Sequence, residues 1–525
     1  MSSSMPGAEV SAGRSGPADP RRVRLVFAAL TLTILLASLD QTILSTALPT
    51  VVGDLGSVDR MSWVVTAYVL AATIVMPLYG RFGDVLGRKP LFLAAICLFV
   101  AGSVIGGAAG SVQALIAGRF VQGLGGGGLI IVAQAIVADL VPARDRGRYT
   151  GVLGGVFAIS SVAGPLLGGY FTDVAGWRWC FWINVPVGLV ALLVAAVVLR
   201  LPAVPGRRPR LDAAGIMSSA AAVSCVVLVG VWGGTRYAWA SPQILGLAAA
   251  AVVAGAWFVV AERRAAEPVI PMWLLRDRTF AVSTAVGLLV SVGMFAGVGY
   301  LPTFLQMVRH RDATSAGLSM IPLMAAILVT SVLSGQFISA TGRYRALPVA
   351  GALVCVAGCL LLSRLGPTSS SPLIGGSLIV LGVGLGLILQ VLVLVVQNAV
   401  PHDAVGTATA AHNFFREIGA TLGTAVVGSA FTARLTESLT HGSSAAAGIR
   451  ADSLTPALVA GLPDPVRSAV ADAYAHALTP VLGWLAAVFV LAAALSLLLP
   501  HRPLSTTLPM PGALADKAPG QAPRP

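Results

Sequence analysis

Apolar segments of helical length recur from residue 25 to residue 499, and this pattern constrains the fold more than any other feature of the chain. A helix of about 20 residues crosses the hydrocarbon of a bilayer. Backbone groups inside lipid must be bonded internally, so such segments are helices. A membrane barrel would show short alternating strands instead, and the sequence has none. Fourteen spans are expected, over 25–50, 61–79, 90–110, 112–138, 149–170, 179–199, 213–234, 243–261, 280–305, 315–339, 346–363, 372–400, 405–433 and 477–499. An even count places both termini on one side. With 56% hydrophobic and 10% charged residues, and a mean hydropathy of +0.86, the chain has too few charges for a water-soluble domain, where about 25% is usual.

The net charge of +13 invites a nucleic-acid reading, but the placement of the charges argues against it. With the N-terminus taken as cytoplasmic, 23 of the 34 Lys and Arg fall in inner loops and tails, 9 in outer loops, and Arg119 and Arg416 within spans. This is the positive-inside bias of a plasma (inner) membrane protein. No compact basic domain exists to grip phosphates. The five cysteines show neither metal spacing nor a disulfide framework. Residues 1–24 and 501–525 read as disordered cytoplasmic tails.

The chain also carries an internal repeat. "GRFGDVLGR" at 80–88 matches "GQFISATGR" at 335–343, an offset of 255. "LVPARDRG" ending at Gly147 matches "AVPHDAVG" ending at Gly406, an offset of 259. Gly164 and Gly168 recur as Gly419 and Gly423, again at 255. Spans 1–6 therefore pair with spans 9–14. This gives an N-terminal six-helix half over 25–200, an inserted helical pair with its linkers over 201–278, and a C-terminal six-helix half over 279–500 with a large outer loop at 434–476. The inserted pair, with Trp232 and Trp257, is expected at the periphery. A short amphipathic helix is expected in the last outer loop, capped by Asp464.

Several motifs have a direct physical reading. The stretch Gly80 to Lys89 must turn in about ten residues, which suits its glycines. Asp84 lies among Arg81, Arg88 and Lys89, and its carboxylate can bond a basic residue or a neighbouring helix N-terminus. Such a bond would hold two halves in one state and break in another. In span 5, Gly164, Gly168 and Gly169 permit close approach of a second helix, and Pro165 bends the chain. The expectation is a tight seam between the halves. The run Gly123, Gly125 to Gly128 reads as close packing or a flexible point.

Together these stretches resemble the major facilitator superfamily, and specifically its fourteen-span drug:proton antiporters. "GRFGDVLGRK" is similar to the loop signature between spans 2 and 3, departing at Phe82 and Val85. "LDQTILSTALP" from Leu39 is similar to a first-span signature, "RFVQGLGGG" from Arg119 to a fourth-span motif, and "AGPLLGG" from Ala163 to the fifth-span antiporter motif. The resemblance implies an all-α membrane protein with two parallel six-helix halves that rock about a central cavity. It implies an exporter of small amphipathic molecules such as drugs or antibiotics, driven by protons, with no other cofactor, and acting as a monomer.

Asp40 is the residue this reading must explain. A charge within the bilayer costs about 2.5–3.5 kcal/mol on insertion scales. At 1.5 Å per residue, Asp40 on span 1 and Arg119 on span 4 fall at similar depth, within reach of a direct or water-mediated pair. Desolvation and a nearby cation pull a carboxylate's protonation in opposite directions, which suits a proton carrier. The rival is a permanent structural ion pair. Glu417, beside Arg416 on span 13, is a second proton-coupling candidate. The chain lacks a Gly-Lys-Ser/Thr phosphate loop, which weighs against a nucleotide-driven pump. The histidines are expected in loops or at span ends, His412 included, leaving no embedded hydrolase set. Alternatives are a dedicated metabolite exporter, a proton symporter, and a non-transporting receptor.

Overall fold

The apolar segments are helical wherever the computed structural model describes them, namely over residues 20–56, 60–199, 212–234, 236–309, 313–441, 454, 458–459 and 461–504. The first half comprises α1 (Pro20–Asp54), α2 (Met61–Leu86), α3 (Arg88–Gly107), α4 (Val112–Leu140), α5 (Ala143–Tyr170) and α6 (Asn184–Val198). The inserted pair is α7 (Ala213–Trp232) and α8 (Pro242–Arg264). The second half comprises α9 (Arg278–Arg309), α10 (Ile321–Thr341), α11 (Ala346–Leu362), α12 (Ser371–Ala399), α13 (Val405–His441) and α14 (Asp464–Leu497). Thirteen described helices are long and apolar enough to cross a membrane. The expected eleventh span is a helix of 17 residues, at the short end of that range.

Each half has its own apolar core. One buries Leu30, Phe92, Phe99 and Val132, the other Phe304, Leu378, Leu482 and Phe489. The halves meet along two seams, α2 with α13 and α5 with α10. The repeat relates α2 to α10 and α5 to α13, so the two seams are equivalent by pseudo-symmetry. The inserted pair is peripheral: α8 packs on α7, α7 rests on α2 and α13, and Trp257 is exposed. Trp232 stacks edge-on against Trp63 of α2, with centroids 5.9 Å apart.

Several expected boundaries shift because helices continue beyond the hydrocarbon. The stretch 80–89 is not a ten-residue loop. α2 runs to Leu86, α3 starts at Arg88, and Gly87 alone makes the turn at φ 90°. That backbone angle is open to glycine and strained for other residues. Gly80, Arg81 and Asp84 thus lie on the last turns of α2. The end of the bundle where this turn lies is called the Gly87 face below. The outer loop expected over 434–476 is shorter, since α13 reaches His441 and α14 begins at Asp464. Asp464 is the first helical residue rather than the cap, and the helix it opens continues unbroken to Leu497. The tail residues 1–19 and 505–525 lie outside the described residues.

Candidate functional site

The charged site is assembled by glycines. In α4, Gly125 faces the backbone of α3 at Phe99, and Gly127 faces α2, where an added Cβ would sit 2.5 Å from the Ala72 carbonyl oxygen. In α3, Gly102 lies against the backbone of Gln122. These approaches resolve the glycine run as close packing on two faces of α4. They bring Ser103 of α3 and Tyr68 of α2 against the polar residues of α4.

Asp40 and Arg119 meet directly. Arg119 Nη1 lies 2.6 Å from Asp40 Oδ2, and the side chains are 2% and 1% exposed. Asp40 Oδ1 accepts from Gln122 Nε2 and from Asn184 Nδ2, both at 2.7 Å. Arg119 also donates to Gln122 Oε1 at 2.6 Å, and Gln122 donates to Ser103 Oγ at 2.8 Å. The guanidinium sits over the Tyr68 ring, 4.3 Å from its centroid. One carboxylate therefore ties α1 to α4 and α6 inside a single half. A buried ion pair is favoured when its remaining donors and acceptors are also bonded; here the neutral amides of Gln122 and Asn184 satisfy Asp40 Oδ1, while Arg119 Nε has no hydrogen-bond partner among the described residues.

Glu417 lies on α13 in the other half and is half-buried. It makes no hydrogen bond or ion pair through its carboxylate among the described residues, while Tyr68 lies within electrostatic reach of Asp40, Arg119 and Glu417. Arg416 turns to Asn413, with Nη1 3.2 Å from Oδ1. Asn413 donates to Gln134 Oε1 of α4 at 3.0 Å, and Gln397 of α12 donates to the Gln134 carbonyl at 3.3 Å. His412 is not at a span end. It is fully buried between α13 and α9, with Nδ1 3.4 Å from Thr284 Oγ1.

The Gly87 face carries the remaining motif residues. Asp84 accepts from the backbone N–H of Gly406 at 3.0 Å and of Thr407 at 2.7 Å, and from Thr407 Oγ1 at 2.8 Å. It thereby caps α13 of the opposite half. Arg88 bonds Asp84 at 3.2 Å and also pairs with Asp139 and with the carbonyl of Ala135. Gly80 is needed for close approach rather than for a turn: a Cβ there would lie 2.6 Å from the Gly406 carbonyl oxygen. Arg81 turns away to Glu267, 3.9 Å distant, and Lys89 donates to the Ala196 carbonyl within its own half at 2.7 Å.

The glycines expected to seal the halves do something else. Gly164 faces Thr42 and Gly168 faces Ile43, so both press α5 onto α1 of the same half, while Gly169 meets nothing within 4 Å. Pro165 of this motif does reach across, 3.9 Å from a Cβ placed on Gly317. The inter-half stripe on α5 is Gly147, Gly151, Gly154 and Gly155, set against Gly335, Ser331, Gln390 and Leu328. A helix with glycine on several faces does not declare in its sequence which face meets which neighbour.

Comparison with known proteins agrees with this architecture. The family described as Major Facilitator Superfamily matches residues 30–424. The chain is 40% identical over 491 residues to an uncharacterised MFS-type transporter, Rv1877, of Mycobacterium tuberculosis, spanning 93% of this chain and 71% of the relative. It is 34% identical over 414 residues to the multidrug transporter protein MdtP of Bacillus subtilis, spanning 78% and 75% of the two chains. The crystal structure of the human organic anion transporter MFSD10 aligns with a TM-score of 0.61 at 16% identity, covering 91% of this chain and 100% of that one. With two repeated six-helix halves, buried intramembrane charge and this match over most of its length, the chain belongs to the Major Facilitator Superfamily and is a membrane transporter.

Proposed function

We propose that the chain is a proton-driven exporter of amphipathic small molecules, drugs or antibiotics among them, working by alternating access as a fourteen-span drug:proton antiporter. It sits in the plasma membrane as a monomer, with both termini and the Gly87 face cytoplasmic. The observation that carries this reading is the Asp40–Arg119 pair, an ionisable group held at mid-depth in an apolar half. Intramembrane charge is rare and marks ion pathways and proton relays. The half-buried Glu417 offers a second carboxylate, on a helix that packs against α2 of the other half. The excess of basic residues at the Gly87 end supports the orientation, and the similarity to a multidrug transporter supports the substrate class.

Proton uptake at Asp40 must break its pair with Arg119, whose charge then returns to Gln122 and the Tyr68 ring. Loading and unloading of the proton thereby alter the contacts between α1 and α4. The test is pH-gradient-driven uptake of a fluorescent amphipathic cation into inverted vesicles. Asp40→Asn preserves size and hydrogen bonding but cannot ionise. Driven uptake is expected to fall below one tenth, while binding of an uncharged substrate stays within about twofold, as judged against expression and melting temperature. Arg119→Lys keeps the charge but loses the planar fork, and should impair uptake less. Near-normal driven uptake by Asp40→Asn would remove Asp40 as the obligatory carrier and leave Glu417.

A further inference from the structure

We infer that His402 is a pH-sensitive latch between the two halves, closing the Gly87 face more firmly when it is protonated. His402 belongs to the second half, in the turn between α12 and α13. Its Nε2 lies 3.1 Å from Asp139 Oδ1 at the end of α4 in the first half. The bond therefore spans the interface that must part if this face opens. The inference rests on the alternating-access reading for its consequence, and is tested on distances rather than on transport.

The surroundings favour this role. Asp139 is shared with Arg88 of α3, which also holds Asp84 of α2, so the latch joins the carboxylate that caps α13. Arg146 of α5 braces the end of α4, donating to the carbonyls of Ala138 at 2.8 Å and Val141 at 2.9 Å. Arg81 of α2 is engaged by Glu267, and Asp403 is the only other acidic residue in the turn of His402 itself. Asp139 and Asp403 are thus the acids nearest the imidazole, and Arg88 is already committed to Asp139 and Asp84.

His402 Nδ1 is buried and has no hydrogen-bond partner. A neutral ring therefore donates to Asp139 through Nε2 and keeps a lone pair on Nδ1. Histidine is the side chain that gains charge between about pH 8 and pH 5. A proton added at Nδ1 turns the Nε2 bond into a charge-assisted one. The side chains of His402 and Asp139 are 34% and 17% exposed, so protons can reach the pair. The repeat gives an internal contrast. At its offset of 259, Ala143 and Asn398 stand where His402 and Asp139 stand, so the other seam has no titrating counterpart at this position.

The experiment uses the full-length protein in lipid nanodiscs without substrate. Spin labels are placed on exposed Asp145 of the first half and Leu498 of the second, with Cys97→Ser to remove the exposed native thiol. The ratio of short to long distances is read from pH 8 to pH 6. It should rise at least threefold in the parent protein, within the limit of about tenfold per pH unit that one proton allows. His402→Gln should flatten the profile. His402→Lys, a permanent cation, should hold the short distance throughout, and Asp403→Asn should follow the parent. An unchanged pH slope in His402→Gln, or a parent profile that is flat or opposite in sign, would overturn the latch. Both results are independent of whether Asp40 carries the transported proton.

Discussion

The α2–α13 and α5–α10 seams are equivalent by the internal repeat, yet they close by different chemistry. Both rest on glycine pairs, Gly80 against Gly406 and Gly147 against Gly335. Beyond that the copies diverge. On the α2–α13 side, Asp84 caps a helix, and Arg88, Asp139 and His402 complete a charged network. At the repeat positions stand Ser339, Arg343 and Asn398. There Arg144 bonds the carbonyls of Ser339 at 2.8 Å and Ala340 at 2.7 Å, and Arg343 is exposed. One seam is held by paired opposite charges, the other by backbone contact and a single cation bonded to neutral carbonyls.

This contrast can be tested through the ratio of closed to open distances for the labels on Asp145 and Leu498. The largest effect is expected from Gly335→Val, because the added atoms meet the backbone of Gly147, which has no flexible end to move. The closed population should fall more than tenfold, with active uptake falling alongside. Asp84→Asn should come next, at about tenfold, since hydrogen bonds to a charged group contribute about 1.5–3 kcal/mol. Its repeat partner Ser339→Ala should stay within about twofold, because there the carbonyl rather than the side chain makes the bond. Equal losses at Asp84 and Ser339 would erase the distinction between the seams. Arg144→Gln, which removes a partly exposed pair of bonds, should fall between Asp84 and Ser339, at about threefold. A larger loss there than at Asp84 would reverse the order.

Much of this was legible in the sequence. The spans, the repeat and the peripheral inserted pair follow from hydrophobic length and matched motifs, which need no side-chain detail. The Asp40–Arg119 pair was legible because two lone charges at one depth have few other partners. Gln122, Asn184 and Ser103 were not, since neutral polar residues are scattered through many spans and only packing selects those that converge. The hint for Gln122 was its place three residues after Arg119, on the same helix face. The role of Gly164 and Gly168 was misplaced for a different reason. Small residues state that a helix approaches closely and leave open which one. His412 was misjudged because a lone imidazole inside a span carries no sign of the neighbour that buries it.

The inserted pair also gives the molecule a handedness toward the bilayer. α7 lies along α2 and α13, with Gly230 against Thr421 and Gly234 of the turn that follows beside Ser429, so it shields that seam from the surrounding acyl chains. Among the described residues no added helix covers the α5–α10 seam in the same way. A solute dissolved in one leaflet therefore meets a walled flank on one side and a bare flank on the other.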